Sequence, residues 1–267
     1  MWPTRPASRW KRSRRKTMIV LKTSRELSAM RAAGRISSRA LRLAGEAVEP
    51  GVSTWEIDRM VRRYIEEQGA VPTFLGYGGF PASSCISVNN VVIHGIPGKK
   101  IILKQGDIVS IDIGATFEGF VGDNAWTFPC GDVSEEAQSL MNATREALFE
   151  GIAAAKAGNR IGDIGSAVQR YVEARGYSVV RSFVGHGVGA KMHEDPAVPN
   201  YGTPGRGVRL LPGMTIAIEP MINEGVKEVQ TLKDGWTTVT ADGKLSAHFE
   251  HTVAVTPDGP VILTLPD

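Results

Sequence analysis

Apolar residues along the chain alternate between a spacing typical of helices and a spacing typical of strands. Apolar positions three or four residues apart predict four helices, at 25–48, 53–68, 134–157 and 163–175. Runs rich in β-branched and aromatic residues predict strands between and after these helices. The runs lie at 85–93, 108–117, 120–128, 178–184, 215–218, 230–240 and 246–255. This mixture of helices and strands predicts an α/β (α+β) fold.

The second predicted helix has clear start and stop signals. A serine or threonine at 53–54 can cap its first turn, and Gly69 can end it. Ile57, Val61 and Ile65 form an apolar stripe, which predicts one buried face.

The two halves of the chain match each other at one constant offset of 107 residues. In the helix the shared positions include Gly51 with Gly158, Ile57 with Ile164, Tyr64 with Tyr171, Glu66 with Glu173 and Gly69 with Gly176. The same offset places Gly106 on Gly213 and Asp112 on Glu219, in a strand motif far downstream. We therefore predict two α/β halves related by a pseudo-two-fold, at about 18–150 and 151–267, within one domain at 18–267.

Composition indicates an ordinary globular protein. The 267 residues are 42% hydrophobic and 22% charged, and the chain lacks an apolar run long enough to span a membrane. With two cysteines, Cys85 and Cys130, a secreted disulfide framework is disfavoured, so we expect a reduced, cytoplasmic setting.

The net charge of +3 is unevenly distributed. Residues 1–17 hold seven basic residues and no acidic one, so the rest has 31 − 7 = 24 basic against 28 acidic residues. The composition of this segment predicts a disordered N-terminal extension. It could contact ribosomal RNA, act as a targeting segment, or be a solvated extension upstream of a functional start at Met18.

Two aspartates lie on either side of a predicted hairpin turn. Asp112 ends a β-rich run, Asp123 follows eleven residues later, and Glu118-Gly119 lies between them as a turn. A symmetric hairpin would place Asp123 opposite Gly114, on the same sheet face as Asp112 and roughly 7–8 Å from it. Two such carboxylates need a cation between them, for which we expect Gly114 to leave space.

The second half offers the same chemistry. Glu219 and Glu250 lie in sequences that otherwise resemble buried strands, and His186 lies in a glycine-rich run. Burying four unpaired carboxylates would be prohibitive, so we predict a pair of divalent ions. The oxygen-rich ligand set points to Mn²⁺, Fe²⁺ or Co²⁺, with Zn²⁺ as a further candidate.

These residues carry a family resemblance. The ordered set Asp112, Asp123, His186, Glu219 and Glu250 resembles the metal ligands of the type I methionine aminopeptidases. The flanking sequences also match, namely NNVVIHGIP at 89–97, GD at 122–123, GHGVG at 185–189, IEP at 218–220 and SAHFEHT at 246–252. The resemblance covers about 18–262 and implies the pita-bread fold, with two pseudo-symmetric halves around a central antiparallel sheet that carries two metal ions.

The resemblance also implies residue roles. Glu219 would be both a metal ligand and a proton shuttle, His193 would steady the carbonyl oxygen, and His94 would contact the scissile amide. The methionine pocket would consist of Phe74, Tyr77, Phe80, Cys85, Met192 and Trp236. Phe80 and Met192 depart from the tyrosine and phenylalanine often found at these positions, which affects pocket shape more than chemistry.

The activity implied is release of N-terminal methionine from peptides and nascent proteins, by attack of a metal-bridging hydroxide and with a small second residue favoured. Such an enzyme is expected to be a cytoplasmic monomer that meets the ribosome transiently. One alternative is a proline-directed relative such as prolidase or aminopeptidase P, which usually carries an extra N-terminal domain. The other is a binding protein of the same fold that has lost catalysis and uses its basic tail.

Overall fold

The computed structural model describes residues 18–266, so the predicted N-terminal extension lies outside the described residues. All four predicted helices are present, with slightly different ends. They are α1 (Ser24–Glu46), α2 (Thr54–Glu67), α3 (Glu135–Ala154) and α4 (Ile161–Glu173). Ser53 caps α2 and forms a capping box with Glu56, and the predicted apolar stripe is buried. None of the helices within 18–266 is long and apolar enough to cross a membrane.

Fifteen strands occur among the described residues. They are β1 (Val71–Pro72), β2 (Ser84–Val88), β3 (Val91–Ile93), β4 (Ile108–Phe117), β5 (Phe120–Pro129), β6 (Ser178–Val179), β7 (Gly185–Gly187), β8 (Glu194–Val198), β9 (Thr215–Ile218), β10 (Met221–Asn223), β11 (Val229–Thr231), β12 (Thr238–Thr240), β13 (Ser246–His248), β14 (Glu250–Thr256) and β15 (Gly259–Ile262). Nine of them form one sheet in the order β1-β4-β5-β14-β9-β7-β8, with β2 also paired to β4 and β15 to β14. The strands from the two halves meet where β5 pairs with β14.

The hairpin of β4 and β5 has the predicted register. Glu118 and Gly119 both have positive φ, 48° and 80°, as a tight two-residue hairpin turn requires. Asp123 lies opposite Gly114, and Asp112 lies opposite Ala125. Because side chains alternate across a strand, Asp112 and Asp123 therefore share one face of the sheet.

Several predicted strands were too long. The run at 85–93 turns at Asn89, whose φ is 55°, and divides into β2 and β3, which belong to different sheets. The run at 230–240 is a hairpin of β11 and β12, and the run at 246–255 is interrupted at Phe249. Only Ser178–Val179 remains strand in the run at 178–184. Composition indicates which residues suit a strand but does not fix where the partner strand ends.

The internal repeat has a counterpart in backbone contacts. An isolated bridge pairs Ser53 with Ile102, and a second pairs Arg160 with Arg209, shifted by the repeat offset at both ends. The amide of Gly51 donates to the carbonyl of Leu103 at 2.8 Å, and the amide of Gly158 donates to the carbonyl of Leu210 at 3.0 Å. These contacts hold α2 and α4 in matching positions, as a pseudo-two-fold requires. The exact division into halves stays a prediction.

The helices cover one face of the large sheet. Ile111 and Ile113 of β4 are fully buried in the cluster that includes the apolar residues of α1 and α2. Apolar residues of α3 and α4 pack in the same way on the strands of the second half. Asp112, between Ile111 and Ile113, must point to the opposite face. The fold therefore leaves the acidic residues on the face away from the helices.

Candidate metal centre

Strand register brings the acidic residues of both halves together. Ala125 of β5 lies between two acids, because it is paired with Asp112 on one side and with Glu250 on the other. Asp123 lies two positions from Ala125 on the same strand, so its side chain points to the same face. Asp112, Asp123 and Glu250 are thus neighbours on the face of the sheet away from the helices.

The remaining two predicted ligands come from the second half. β14 pairs with β9 so that His251 faces Ile218, which places Glu219, just after β9, beside Glu250. His186 in β7 directs Nε2 at the acids, 3.6 Å from Asp123 Oδ2 and 3.5 Å from Glu219 Oε1. All five predicted residues are therefore gathered around one point.

The ring of His186 is oriented for metal binding. Its Nδ1 lies 2.9 Å from the carbonyl oxygen of Gly187, which can only accept a hydrogen bond. Nδ1 therefore carries the proton, and Nε2 presents a lone pair to the acids. One ligand atom from each of Asp123, His186 and Glu250 lies within 4.8 Å of the others, close enough to share one ion.

The carboxylates have oxygens that fit a metal. One buried oxygen on each of Asp112, Asp123, Glu219 and Glu250 receives no hydrogen bond from any of the described residues. A buried acceptor without a partner costs free energy, and four such acceptors around one point need a common partner. Divalent ions satisfy oxygens of this kind, so the residues fit the metal that the sequence predicts.

The pKa values of these acids also indicate buried carboxylates that lack a compensating positive charge. Burial raises the pKa of Asp123 to about 8. Burial, and then repulsion from neighbouring carboxylates, holds the pKa values of Asp112, Glu219 and Glu250 well above their usual range. Without a cation these groups would hold protons at neutral pH, and a bound cation would displace those protons.

Two polar residues that the sequence reasoning did not single out steady the ligands. Thr252 Oγ1 donates to the backbone carbonyl of Asp123 at 2.8 Å. Asn200 Nδ2 donates to the backbone carbonyl of Glu219 at 2.9 Å. Thr252 is the last residue of the SAHFEHT motif at 246–252, so the sequence offers a signal for it, whereas Asn200 lies in a loop with no local pattern.

The predicted pocket residues form one group beside the acids. Phe74, Tyr77, Phe80, Cys85, Met192 and Trp236 all belong to a single apolar cluster. Cys85 connects the cluster to the acids, because it is paired with Asp112 across β2 and β4. The rings of Phe80 and Trp236 meet edge to face with centroids 5.1 Å apart. An apolar, aromatic surface containing sulfur is well suited to a thioether side chain.

The expected role of Gly114 was wrong. A Cβ at this position would lie 2.7 Å from the ring of Phe74 and 3.0 Å from Thr73. The missing side chain therefore admits the pocket ring of Phe74, and does not provide the space for a cation. The Phe74 ring packs closely on the sheet because residue 114 is a glycine.

Of the two predicted catalytic histidines, His193 lies beside the ligand His186 and His94 lies beside the pocket residue Trp236. The ring of His193 lies 4.1 Å from that of His186, and its Nδ1 is 3.0 Å from the hydroxyl of Tyr77. His94 packs edge to face on Phe183 and Trp236. Burial lowers the pKa of His94 to about 4 and, with the other histidines, the pKa of His193 to about 2, so both are neutral.

A buried ion pair holds the loop that carries His193. Lys22 Nζ lies 2.5 Å from Glu194 Oε2, and the two side chains are only 3% and 12% exposed. Glu194 Oε1 also accepts a hydrogen bond from the amide of Lys191 at 3.2 Å. The segment before α1 is thus fastened to the loop that supplies Met192 and His193. No local pattern in the sequence indicates this pair.

Replacing Lys22 by methionine should destabilise the protein, because Glu194 would be left buried without its partner. We expect the free energy of unfolding to fall by about 3 kcal/mol, measured by chemical denaturation. The double variant Lys22→Met/Glu194→Met removes both charges and should recover most of the loss. A single variant as stable as the wild type would show that the pair does not hold the loop.

The fold and the buried acidic centre define a class of metallopeptidase. A family model described as metallopeptidase family M24 matches residues 28–257. The methionine aminopeptidase of Clostridium perfringens is 57% identical over 248 residues, which cover 93% of this chain and 99% of that protein. The chain belongs to metallopeptidase family M24 and, within it, to the methionine aminopeptidases.

Solved structures agree with the predicted fold. A methionine aminopeptidase from Thermotoga maritima has a TM-score of 0.91 at 46% identity, covering 92% of this chain and 99% of that one. An Xaa-Pro dipeptidase from Bacillus anthracis has a TM-score of 0.75 at 23% identity and is covered over 62% of its length. The second likeness shows the fold alone. The predicted pita-bread architecture and family resemblance are confirmed.

Proposed function

We propose that the chain hydrolyses the first peptide bond of peptides and nascent proteins that begin with methionine, and that it favours a small second residue. The observation that carries the proposal is the buried group of four carboxylates and one imidazole beside a single apolar pocket. Family membership supports the same reaction. A metal centre alone would suit many hydrolases. The apolar pocket beside it explains why the first residue of the substrate should be methionine.

We propose two divalent ions as the cofactor, held by Asp112, Asp123, His186, Glu219 and Glu250. Ions bound there would supply an ionised water at neutral pH and would polarise the scissile carbonyl. The predominance of oxygen ligands favours Mn²⁺, Fe²⁺ or Co²⁺, while Zn²⁺ remains compatible with the ligand set.

The other polar residues have roles in moving protons and stabilising charge. Glu219 would act both as a ligand and as the group that carries a proton from the water to the departing amine, because its Oε1 lies 3.5 Å from Nε2 of the ligand His186, at the centre of the site. His193 is neutral and lies beside the ligand His186, where it can hydrogen-bond the carbonyl oxygen as negative charge develops. His94 is placed by Phe183 and Trp236 and would contact the scissile amide.

The methionine side chain would occupy the pocket. Phe74, Phe80, Cys85 and Met192 are buried and give the pocket an apolar lining. Tyr77 adds a ring stacked on His193, with centroids 5.6 Å apart, and so joins the pocket to the reacting atoms. This connection would align the first peptide bond with the metals when methionine is bound.

A metal-free preparation titrated with Mn²⁺, Fe²⁺, Co²⁺ and Zn²⁺ tests the proposal. Release of methionine from a Met-Ala peptide should appear only with added metal, and an Xaa-Pro peptide should not be cleaved. Cleavage of the Xaa-Pro peptide instead would favour the proline-directed alternative. Full activity without metal would overturn the proposed mechanism.

We also propose a cytoplasmic, monomeric enzyme. Cys85 and Cys130 are both buried free thiols, which supports a reducing compartment. Transient contact with the ribosome through the basic tail stays a proposal, since residues 1–17 lie outside the described residues. Co-sedimentation with ribosomes at increasing salt would test that contact.

A further inference from the structure

A group of cations surrounds an aromatic ring on the exposed side of α2. We call this group the α2 basic face and define it as Trp55, Arg59, Arg62, Arg63 and Lys99. Arg59 follows Trp55 by four positions, and Arg62 and Arg63 follow Arg59 by three and four, so the four helical members share one side of α2. The ring of Trp55 is 37% exposed, and its centroid lies 5.7 Å from the Arg59 guanidinium and 4.5 Å from Lys99 Nζ. Lys99 comes from a different segment, so two parts of the chain converge on this ring.

The three arginines form a concave surface. Together with Glu66 they line a cavity of about 200 Å³ that is open to solvent. Arg62 Nε bonds Glu66 Oε1 at 2.8 Å, so one carboxylate stands among three guanidinium groups. Like charges at this helical spacing repel each other, and a bound anion would relieve that repulsion.

Of the three other acids of α2, two accept hydrogen bonds from other segments or from the start of the helix. The carboxylate of Glu56 accepts hydrogen bonds from the amide and hydroxyl of Ser53 at the start of the helix. Asp58 is buried and accepts from the amides of Ser83 and Ser84. Glu56 therefore does not offset the charge of the α2 basic face, whereas Asp58 attracts Arg62 and Glu67 lies one turn after Arg63. The four cations of the face still outnumber Asp58, Glu66 and Glu67.

The internal repeat shows that the fold does not require this face. On α4 the positions equivalent by the repeat offset hold Gly162, Ser166, Gln169 and Arg170, and the equivalent of Lys99 is Arg206. α4 occupies the matching place in the second half yet has neither the aromatic ring nor two of the arginines. The α2 basic face is thus an addition to one half of a duplicated framework.

We propose that the α2 basic face binds single-stranded RNA, with phosphates against the arginines and one base stacked on Trp55. Guanidinium groups are well shaped for phosphate oxygens. A partly exposed aromatic ring among cations is the combination that single-strand-binding proteins use to hold bases and backbone together. Both features meet here within two turns of one helix.

The test is binding of a short labelled single-stranded RNA to the full chain, followed by fluorescence anisotropy at several salt concentrations. The basic tail is present in every variant, so differences report the α2 basic face. Replacing Arg59, Arg62 and Arg63 together by glutamine should reduce the log–log salt slope by about 2. Trp55→Ala should weaken binding about 5- to 100-fold.

Arg170→Gln is the matched control, because Arg170 is exposed at the position of α4 that corresponds to Arg63. It should leave RNA affinity unchanged, whereas Arg63→Gln should weaken it. Equal effects of these two variants, or wild-type RNA binding by the triple variant and Trp55→Ala, would overturn the proposal. So would loss of binding to phosphatidylserine vesicles, but not to RNA, in the triple variant. Methionine release from a short peptide should be unaltered in all of these variants.

Discussion

Replacing His186 by alanine is expected to lower kcat/KM for methionine release on the order of 10³-fold while the fold is retained. Alanine removes the imidazole whose Nε2 lies between Asp123 and Glu219, at 3.6 and 3.5 Å. Bound metal stabilises the transition state by several kcal/mol, and a factor of ten in rate corresponds to about 1.4 kcal/mol. Steady-state kinetics, together with metal content measured by mass spectrometry, checks the prediction.

His251→Asn is a suitable control for His186→Ala. His251 is also buried, but its ring lies on the opposite face of β14 from Glu250 and contacts Thr264 Oγ1 at 2.9 Å. The control should lower stability and keep the bound metal. An alanine variant at 186 with wild-type activity and metal content would disprove the proposed centre, and near-ultraviolet circular dichroism would establish that the variant is folded.

The sequence could predict the arrangement of the acids because that arrangement is local. A two-residue turn at Glu118-Gly119 and a side-chain period of two are enough to place Asp123 opposite Gly114. The internal repeat then extends the same logic to Glu219 in the second half. Turn chemistry and strand alternation act over a few residues, so they can be read without knowledge of the tertiary structure.

The surroundings of the acids could not be predicted in this way. The hydroxyl of Tyr77 meets His193 across 116 residues, and Lys22 meets Glu194 across 172 residues. Such pairs depend on how whole loops pack, for which no local period exists. The mistaken role of Gly114 has the same cause, because Phe74 reaches it from a neighbouring segment.

The metal-free protein should become less stable as pH rises above about 7, and added metal should reverse the loss. Native Asp123 has a pKa of about 8, and burial also holds the pKa values of Asp112, Glu219 and Glu250 well above their usual range, so these acids keep protons that the unfolded chain has released. The native state then binds more protons than the unfolded state, and the free energy of unfolding must fall with rising pH through this range.

At lower pH the histidines change the free energy of unfolding in the opposite direction. The effect of the acids is therefore best measured above about pH 7. All five histidines have native pKa values lowered from 6.5 to about 4 or below, so the unfolded chain binds more protons under acidic conditions. Their contribution to stability rises with pH up to about 6.5 and is then constant. Above that value the acids make stability fall, and the two buried cysteines, whose thiol pKa values burial raises, act in the same direction toward pH 9.

Thermal denaturation of the metal-free protein at increasing pH, with and without Mn²⁺, measures both effects. Metal at about 100 times its Kd should raise Tm by about 5–10 °C. At a fixed metal concentration the rise should be larger near pH 8 than near pH 6, because fewer protons must then be displaced from the acids. A metal-free Tm that does not change from pH 7 to 9, or a metal-induced rise that is independent of pH, would mean that the four carboxylates do not share one centre.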